Sequence, residues 1–308
     1  MRFGVLGPLA VWTDDGQEIR VPEAKVRLLL ADLLLHDGQS VSADRLVDDL
    51  WGDRLPSNPL NTLQTKISQL RKVLEGAEPG GGRLVVYQHG GYLMPVDLDA
   101  TRFRALTARA RDTDNIRVRS RLLADALALW RGPVLGEVAD EPFAAPVITR
   151  LEDERLAAQE DWAAARLQLG DHDALAGELG ELVAAHPLRE RLRALQMRVL
   201  YRSGRQSEAL ETYRELRTWL ADELGLAPGP EIAALQQAIL EHDPALAIPM
   251  RQRTNLPEPL TELVGRDDAV QSVLSLLSGA RLVTLTGPGG VARPGLRCRP
   301  RGTCPTRG

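Results

Sequence analysis

NPLNTLQTKISQLRKVLE, residues 58–75, divides its apolar and polar side chains between opposite sides of a helix. Leu63, Ile67, Leu70 and Leu74 fall at i, i+4, i+7 and i+11, the spacing of one buried stripe. With about 3.6 residues per turn, Asn61, Thr65, Ser68, Gln69 and Lys72 point the other way, and Gln64, Lys66 and Arg71 lie on the flanks. Amide tips can bond an adenine edge in two places, and Lys and Arg tips reach guanine or phosphate, so this face suits a nucleic-acid groove. The same pattern also describes an ordinary solvated helix whose Lys and Arg stems cover apolar surface. The flanking sequence decides between the two.

Upstream, residues 2–12 and 18–21 read as two strands joined by the Asp14-Asp15-Gly16 turn. Val26, Leu29, Leu30, Leu33 and Leu34 mark a helix ending near Asp37-Gly38. Ser42 is placed to cap a second helix with Leu46, Val47 and Leu50 inward and Trp51 last before Gly52. Downstream of the Gly80-Gly81-Gly82 break, RLVVYQHGGYLM reads as a hairpin turning at His89-Gly90-Gly91. Sheet, helix, helix, turn, helix and hairpin is the order of a winged helix-turn-helix, whose third helix enters the major groove while the hairpin touches flanking backbone.

The 308 residues suffice for two or three domains, and 44% hydrophobic content is ordinary for a globular chain. No apolar run approaches the ~20 residues of a membrane span, and the first residues lack the pattern of a signal peptide, so a cytoplasmic protein is expected. Cys298 and Cys304 have no zinc-site spacing and no histidine partner, which predicts neither metal nor structural disulfide. A net charge of −4 weighs mildly against DNA. Around the amphipathic helix, however, Arg54, Lys66, Arg71, Lys72 and Arg83 outnumber Glu75 and Glu78.

From Asp97 to about Leu246 the pattern is helical throughout. Asp99 is placed to cap a helix bearing Phe103 and Leu106, another runs through Leu122, Leu123, Ala126, Leu127 and Trp130 to Gly132-Pro133, and a long one covers residues 142–169. Gly170-Asp171-His172 and Gly204-Arg205-Gln206 stand 34 residues apart. Each separates two helices, the period of tetratricopeptide (TPR) repeats. A plain helical core is the competing reading. His186, Arg189, Glu190 and Arg191 read as the start of a solvated helix with Pro187 in its first turn, not as a catalytic cluster.

VSADRLVDDLWG, NTLQTKISQLRKVLE and GGYLM together resemble the OmpR-type winged helix that opens the Streptomyces antibiotic regulatory proteins (SARP, AfsR/DnrI-type activators). ALALWRGPVLGEV and the run from AAHPLRERLRALQ to LADELGLAPGPEI resemble the bacterial transcriptional activator domain that follows it in that family. The resemblance implies DNA binding through Asn61, Gln64, Thr65, Lys66, Ser68, Gln69 and Arg71, with Gln88 of the hairpin on adjacent backbone. Related domains often carry Arg where Ser68 and Gln69 stand, which implies a different base preference or a weaker phosphate grip. It further implies a non-enzymatic activator of secondary-metabolite genes that occupies promoter direct repeats as a homodimer or tandem pair and engages RNA polymerase.

The expected organisation is an α+β winged helix at 1–95, an all-α TPR-like activator domain at 97–246, a proline-bearing linker at 247–260 and, at 261–308, a disordered remnant of a P-loop domain resembling the start of an NB-ARC or STAND-type ATPase. After Gly287-Pro288-Gly289-Gly290, a phosphate cradle needs Gly, Lys and Ser or Thr, but Ala292, Arg293 and Pro294 hold those places. Proline also lacks the N–H that would face phosphate. No nucleotide cofactor is therefore expected, which disfavours the alternative of a nucleotide-driven switch or helical adaptor. The tail 292–308, with five arginines and no acid, reads as translation in a shifted frame: deleting one base from codons for Val-Gly-Lys-Thr-Arg gives Val-Ala-Arg-Pro-Gly, as found at 291–295. A basic DNA-binding arm is the competing reading of it.

Overall fold

The structure, a computed structural model, describes residues 1–246 together with Ser272 and Ser275. The expectations for the linker beyond residue 246, the P-loop remnant and the tail lie outside the described residues.

The chain opens with strands β1 (Arg2–Gly4) and β2 (Ala10–Trp12), paired antiparallel with Phe3 opposite Val11. This corrects the expectation of one strand over 2–12. Gly7, at φ +146°, and Pro8 turn the chain back on itself, and an added Cβ on Gly7 would lie 2.8 Å from the Cβ of Arg131. The Asp14-Asp15-Gly16 turn does form, with Thr13 N donating to Gln17 O and Ile19 N to Val11 O. Beyond it, however, only a single bridge joins Glu18 to Trp12 in place of a strand over 18–21.

Helix α1 (Ala24–Leu35) is buried along nearly its whole length, and α2 (Ala43–Trp51) begins at Ser42, whose hydroxyl accepts from Arg45 N at 3.2 Å. Helix α3 (Pro59–Ala77) starts from Asn58, whose side chain accepts from Asn61 N, and Pro59 occupies the first turn, where its missing N–H costs nothing. A single 3-10 turn (Gly81–Leu84) fills what the sequence suggested was a break. Strands β4 (Val86–Gln88) and β5 (Gly91–Leu93) then form the wing around His89 and Gly90, both at positive φ. Strand β3 (Val41–Ser42) pairs with β5, giving the order β3-β5-β4. Gly91 sits where a Cβ would run into the Val41 carbonyl.

The helical part comprises α4 (Asp99–Asp112), α5 (Ile116–Leu127), α6 (Ala145–Leu169), α7 (His172–Ala185), α8 (Glu190–Arg202), α9 (Gln206–Leu224) and α10 (Pro230–Leu240). Gly170 and Gly204, at φ +89° and +76°, close α6 and follow α8, so the 34-residue spacing separates two turns between helices. Helix α6 begins three residues later than Pro142, at Ala145. Pro187 stands before α8, not in its first turn. Arg189 and Arg191 are exposed, as expected of a solvated face, yet their guanidinium groups also converge on the buried Glu160 of α6, at 2.9 and 3.2 Å. That clamp ties α6 to α8.

Asp99 also departs from its expected part. It makes no cap to its own helix. Its carboxylate instead accepts from Val5 N (2.9 Å) and Leu6 N (3.1 Å) and pairs with Arg131 (3.2 Å). Arg131 in turn donates to Pro8 O and lies 4.9 Å over the Trp12 ring. One hydrophobic core accordingly runs from Phe3 through α1–α3 into α4–α6 as far as Ala158, and two smaller cores continue through α6–α8 and α8–α10. Because Val5 and Leu6 are fully buried, Asp99→Ala leaves two amides without acceptors and should cost about 2–4 kcal/mol, whereas Asp99→Asn should cost less by keeping one acceptor. Denaturant unfolding of both variants checks the order; equal losses would show that the amides find other partners.

Candidate nucleic-acid interface

Helix α3 lies with Leu63, Ile67, Leu70 and Leu74 buried against α1 and α2. Asn61, Gln64, Thr65, Ser68, Gln69 and Lys72 are exposed on its other side. The hydroxyl of Thr65 donates to Asn61 O one turn back, which fixes its rotamer and leaves its lone pairs outward. Glu75, one turn beyond Lys72, folds away to accept from Gly80 N and Gly82 N. Those backbone bonds hold its carboxyl below the usual range, so the nearest acid on this face is held as a carboxylate anchoring the 3-10 turn.

The flanking cations behave differently from the exposed ones. Lys66 is half-buried and pairs with Glu23, the residue before α1. Arg71 is half-buried too, and its Nε and Nη2 donate to Val85 O at 3.2 and 2.7 Å, joining α3 to the start of the wing. Both were expected to present their charge outward. Each instead makes a contact within the fold. Gln88 is exposed at the end of β4, and its backbone carbonyl accepts from Ser40 Oγ at 3.0 Å. Sequence reasoning passed over Tyr87, which is 60% exposed beside Gln88 and packs tilted on Tyr92 with ring centres 5.0 Å apart. No local periodicity signals this, because β4 exposes both Tyr87 and Gln88.

A second electrostatic feature joins α1 and α2. Asp32 of α1 is fully buried, and His36 Nδ1 sits 3.2 Å from its Oδ1 and 2.8 Å from its backbone O. The hydrogen bond to Asp32 raises the His36 pKa against the opposing effect of burial. Asp49 of α2 is also pushed up, first by desolvation and then by the charge of Asp32, while Arg45 opposes the shift. Among the described residues no group of three or more His, Cys, Asp or Glu could hold a metal, and no helix is long and apolar enough to cross a membrane.

A small sheet, three helices with the third presenting amide and hydroxyl tips, a wing beside it, and a fused helical repeat define a winged-helix protein of the transcriptional-regulator class. Residues 16–94 match the family described as transcriptional regulatory protein, C terminal, and residues 98–240 match the bacterial transcriptional activator domain. The chain is 40% identical over 297 residues to the regulatory protein AfsR of Streptomyces coelicolor, covering 91% of this chain and 29% of AfsR. It is 37% identical to the regulatory protein DnrI of Streptomyces peucetius, covering 80% of this chain and 94% of DnrI. A solved structure of Mycobacterium tuberculosis EmbR, in complex with a low-affinity phosphopeptide, superposes with a TM-score of 0.75 at 34% identity over 79% of this chain and 65% of EmbR. The chain belongs to the SARP family of transcriptional regulators. It spans less than a third of the length of AfsR.

The Asp32–His36 contact has a pH signature. A folded pKa raised above the ordinary 6.5 of histidine stabilises the protein fully below that value, and the contribution is lost as pH rises through the raised pKa. Stability should therefore fall as pH rises above the ordinary 6.5 of histidine. His36→Gln should flatten that fall, as read by urea midpoints across the range; an unchanged profile would mean another group titrates there.

Proposed function

We propose that the protein is a sequence-specific, DNA-binding transcriptional activator of secondary-metabolite (antibiotic) genes. It reads promoter direct repeats as a homodimer or tandem pair and engages RNA polymerase from the cytoplasm, without membrane association or catalysis. The observation that carries this reading is the exposed row Asn61, Gln64, Thr65, Ser68, Gln69 and Lys72 on a helix whose opposite side is fully buried. Such a row can enter a major groove without unpacking the fold. Asn61, Gln64 and Gln69 offer paired donors and acceptors to base edges, Thr65 and Ser68 shorter ones, and Lys72 takes a phosphate. Gln88 reaches the neighbouring backbone from the wing.

Lys66 and Arg71 enter this scheme conditionally, because each must leave a protein partner to meet DNA. Arg71 surrenders two bonds to a carbonyl and so serves chiefly to set the wing against α3. Lys66 surrenders one carboxylate, Glu23. Glu23 therefore acts as an internal competitor for phosphate.

Mobility shift on the chain's own upstream region tests the scheme. Gln69→Ala should narrow the gap between specific and non-specific affinity, by roughly 1–3 kcal/mol for a lost bidentate contact, whereas Lys72→Ala should weaken all sequences alike and reduce the salt slope by about one. Uniform loss from Gln69→Ala would place that side chain off the base edge. Separately, Glu23→Gln should strengthen binding at low salt and steepen the salt dependence by up to about one unit; no change would mean that Lys66 stays on the protein.

A further inference from the structure

Between α4, α5, α6 and α8 lies a cavity of about 310 Å³ that the DNA-reading scheme does not use. Three arginines line it, Arg111, Arg119 and Arg191, with Asp161 and Gln168 of α6 on its wall and the small side chains of Ala164 and Ala165 leaving the space open. The state of each charge decides what could enter. Asp161 is committed to Arg191, whose Nη2 lies 2.5 Å from its Oδ1, and the other Arg191 contact goes to the buried Glu160. Arg189 supplies a second cation to Glu160, so this group is balanced, two arginines against two carboxylates.

Arg119 and Arg111 stand outside that balance. Arg119 donates Nε to Ala110 O (3.1 Å) and Nη2 to Thr113 O (2.6 Å), neutral carbonyls at the end of α4. Those bonds hold its guanidinium in place and also offset the negative end of the α4 dipole, which would otherwise repel an anion here. Arg111, exposed, has no hydrogen-bond or ion-pair partner among the described residues. The cavity thus carries an excess of two positive charges, one of them fixed in position, inside walls contributed by four helices.

We propose that this cavity is a binding site for a small phosphorylated metabolite, with the phosphate held between Arg111 and Arg119 and the Arg191 edge completing the cradle. Guanidinium forks match phosphate oxygens in pairs, and a fixed fork loses less entropy on binding than a mobile one. The volume admits a phosphate or pyrophosphate with a small attached group and excludes duplex DNA. A bound anion would draw the α4–α5 hairpin, which carries the Asp99 junction to the winged helix, onto α6 and α8. Ligand binding here would therefore stiffen the connection between the DNA-reading part and the helical repeat.

Sodium pyrophosphate is the probe, and the full chain is the sample. Equilibrium dialysis should show one saturable site, with Kd on the order of 0.1–1 mM, and thermal unfolding should shift upward relative to sodium chloride at matched ionic strength. Arg111→Ser should weaken binding about tenfold and reduce the shift accordingly. Arg102→Ser, an exposed arginine on the same helix but outside the cavity, should leave both intact, and circular dichroism of the two variants establishes that they fold alike. Three results would overturn the proposal: no saturable binding below about 10 mM, equal loss in both variants, or Arg111→Ser lowering promoter affinity while the chain binds no pyrophosphate. The last would assign Arg111 to the DNA footprint. None of these readings depends on α3 reading bases, so the two proposals fail separately.

Discussion

A single carboxylate, that of Asp99, receives the two amides that the turn at Gly7 and Pro8 leaves inside the protein. Buried N–H groups need acceptors, and Val5 and Leu6 find theirs on the first turn of α4, since among the described residues no third strand pairs with the hairpin β1–β2. Arg131 closes the arrangement by holding the same carboxylate and the Pro8 carbonyl. Around this knot the apolar side chains of both parts merge into one core, in which Phe3 and Leu6 share a cluster with Phe103 and Leu135. The winged helix is consequently not a bead on a string. Its recognition helix rests on α1 and α2, these rest on the N-terminal hairpin, and the hairpin is bonded to α4.

That connectivity also sorts what the amino-acid pattern could disclose. Elements made by near neighbours were legible: the Ser42 cap reaches three residues ahead, the stripe Leu63, Ile67, Leu70, Leu74 is one helical face, and the His89-Gly90 turn is set by two adjacent residues at positive φ. Long-range commitments were not. Asp99 has the composition of a helix cap, and nothing local reveals that residues 93 and 94 positions upstream will claim it. Glu160 likewise gives no sign that arginines 29 and 31 residues away will neutralise it. Among side-chain roles, polar residues with several possible partners are the ones whose assignments failed.

The same distinction applies within the interface. Periodicity placed eight side chains of α3 on or beside its outer face, and six of them are exposed. The other two, Lys66 and Arg71, are the long cations on the edges of the apolar stripe, where the stem follows the protein surface and the charged end meets whatever lies beside the helix. Glu23 and the Val85 carbonyl lie there. Flank position, not residue type, determined which cations were retained by the fold.

This leaves the outer face of α3 with amides, hydroxyls and one lysine, which bears on how such a protein could hold DNA. Phosphate neutralisation supplies most non-specific affinity, and each contact removed makes binding weaker and less salt-dependent. A reader with few phosphate contacts gains its discrimination from base edges, where a wrong base leaves buried amides unpaired. A single copy of it then binds modestly. Two copies on adjacent repeats recover the affinity by making the second binding event local, at an effective concentration set by their spacing. The paired occupancy proposed here would thus suit a recognition face with a single exposed lysine better than it would a strongly cationic one.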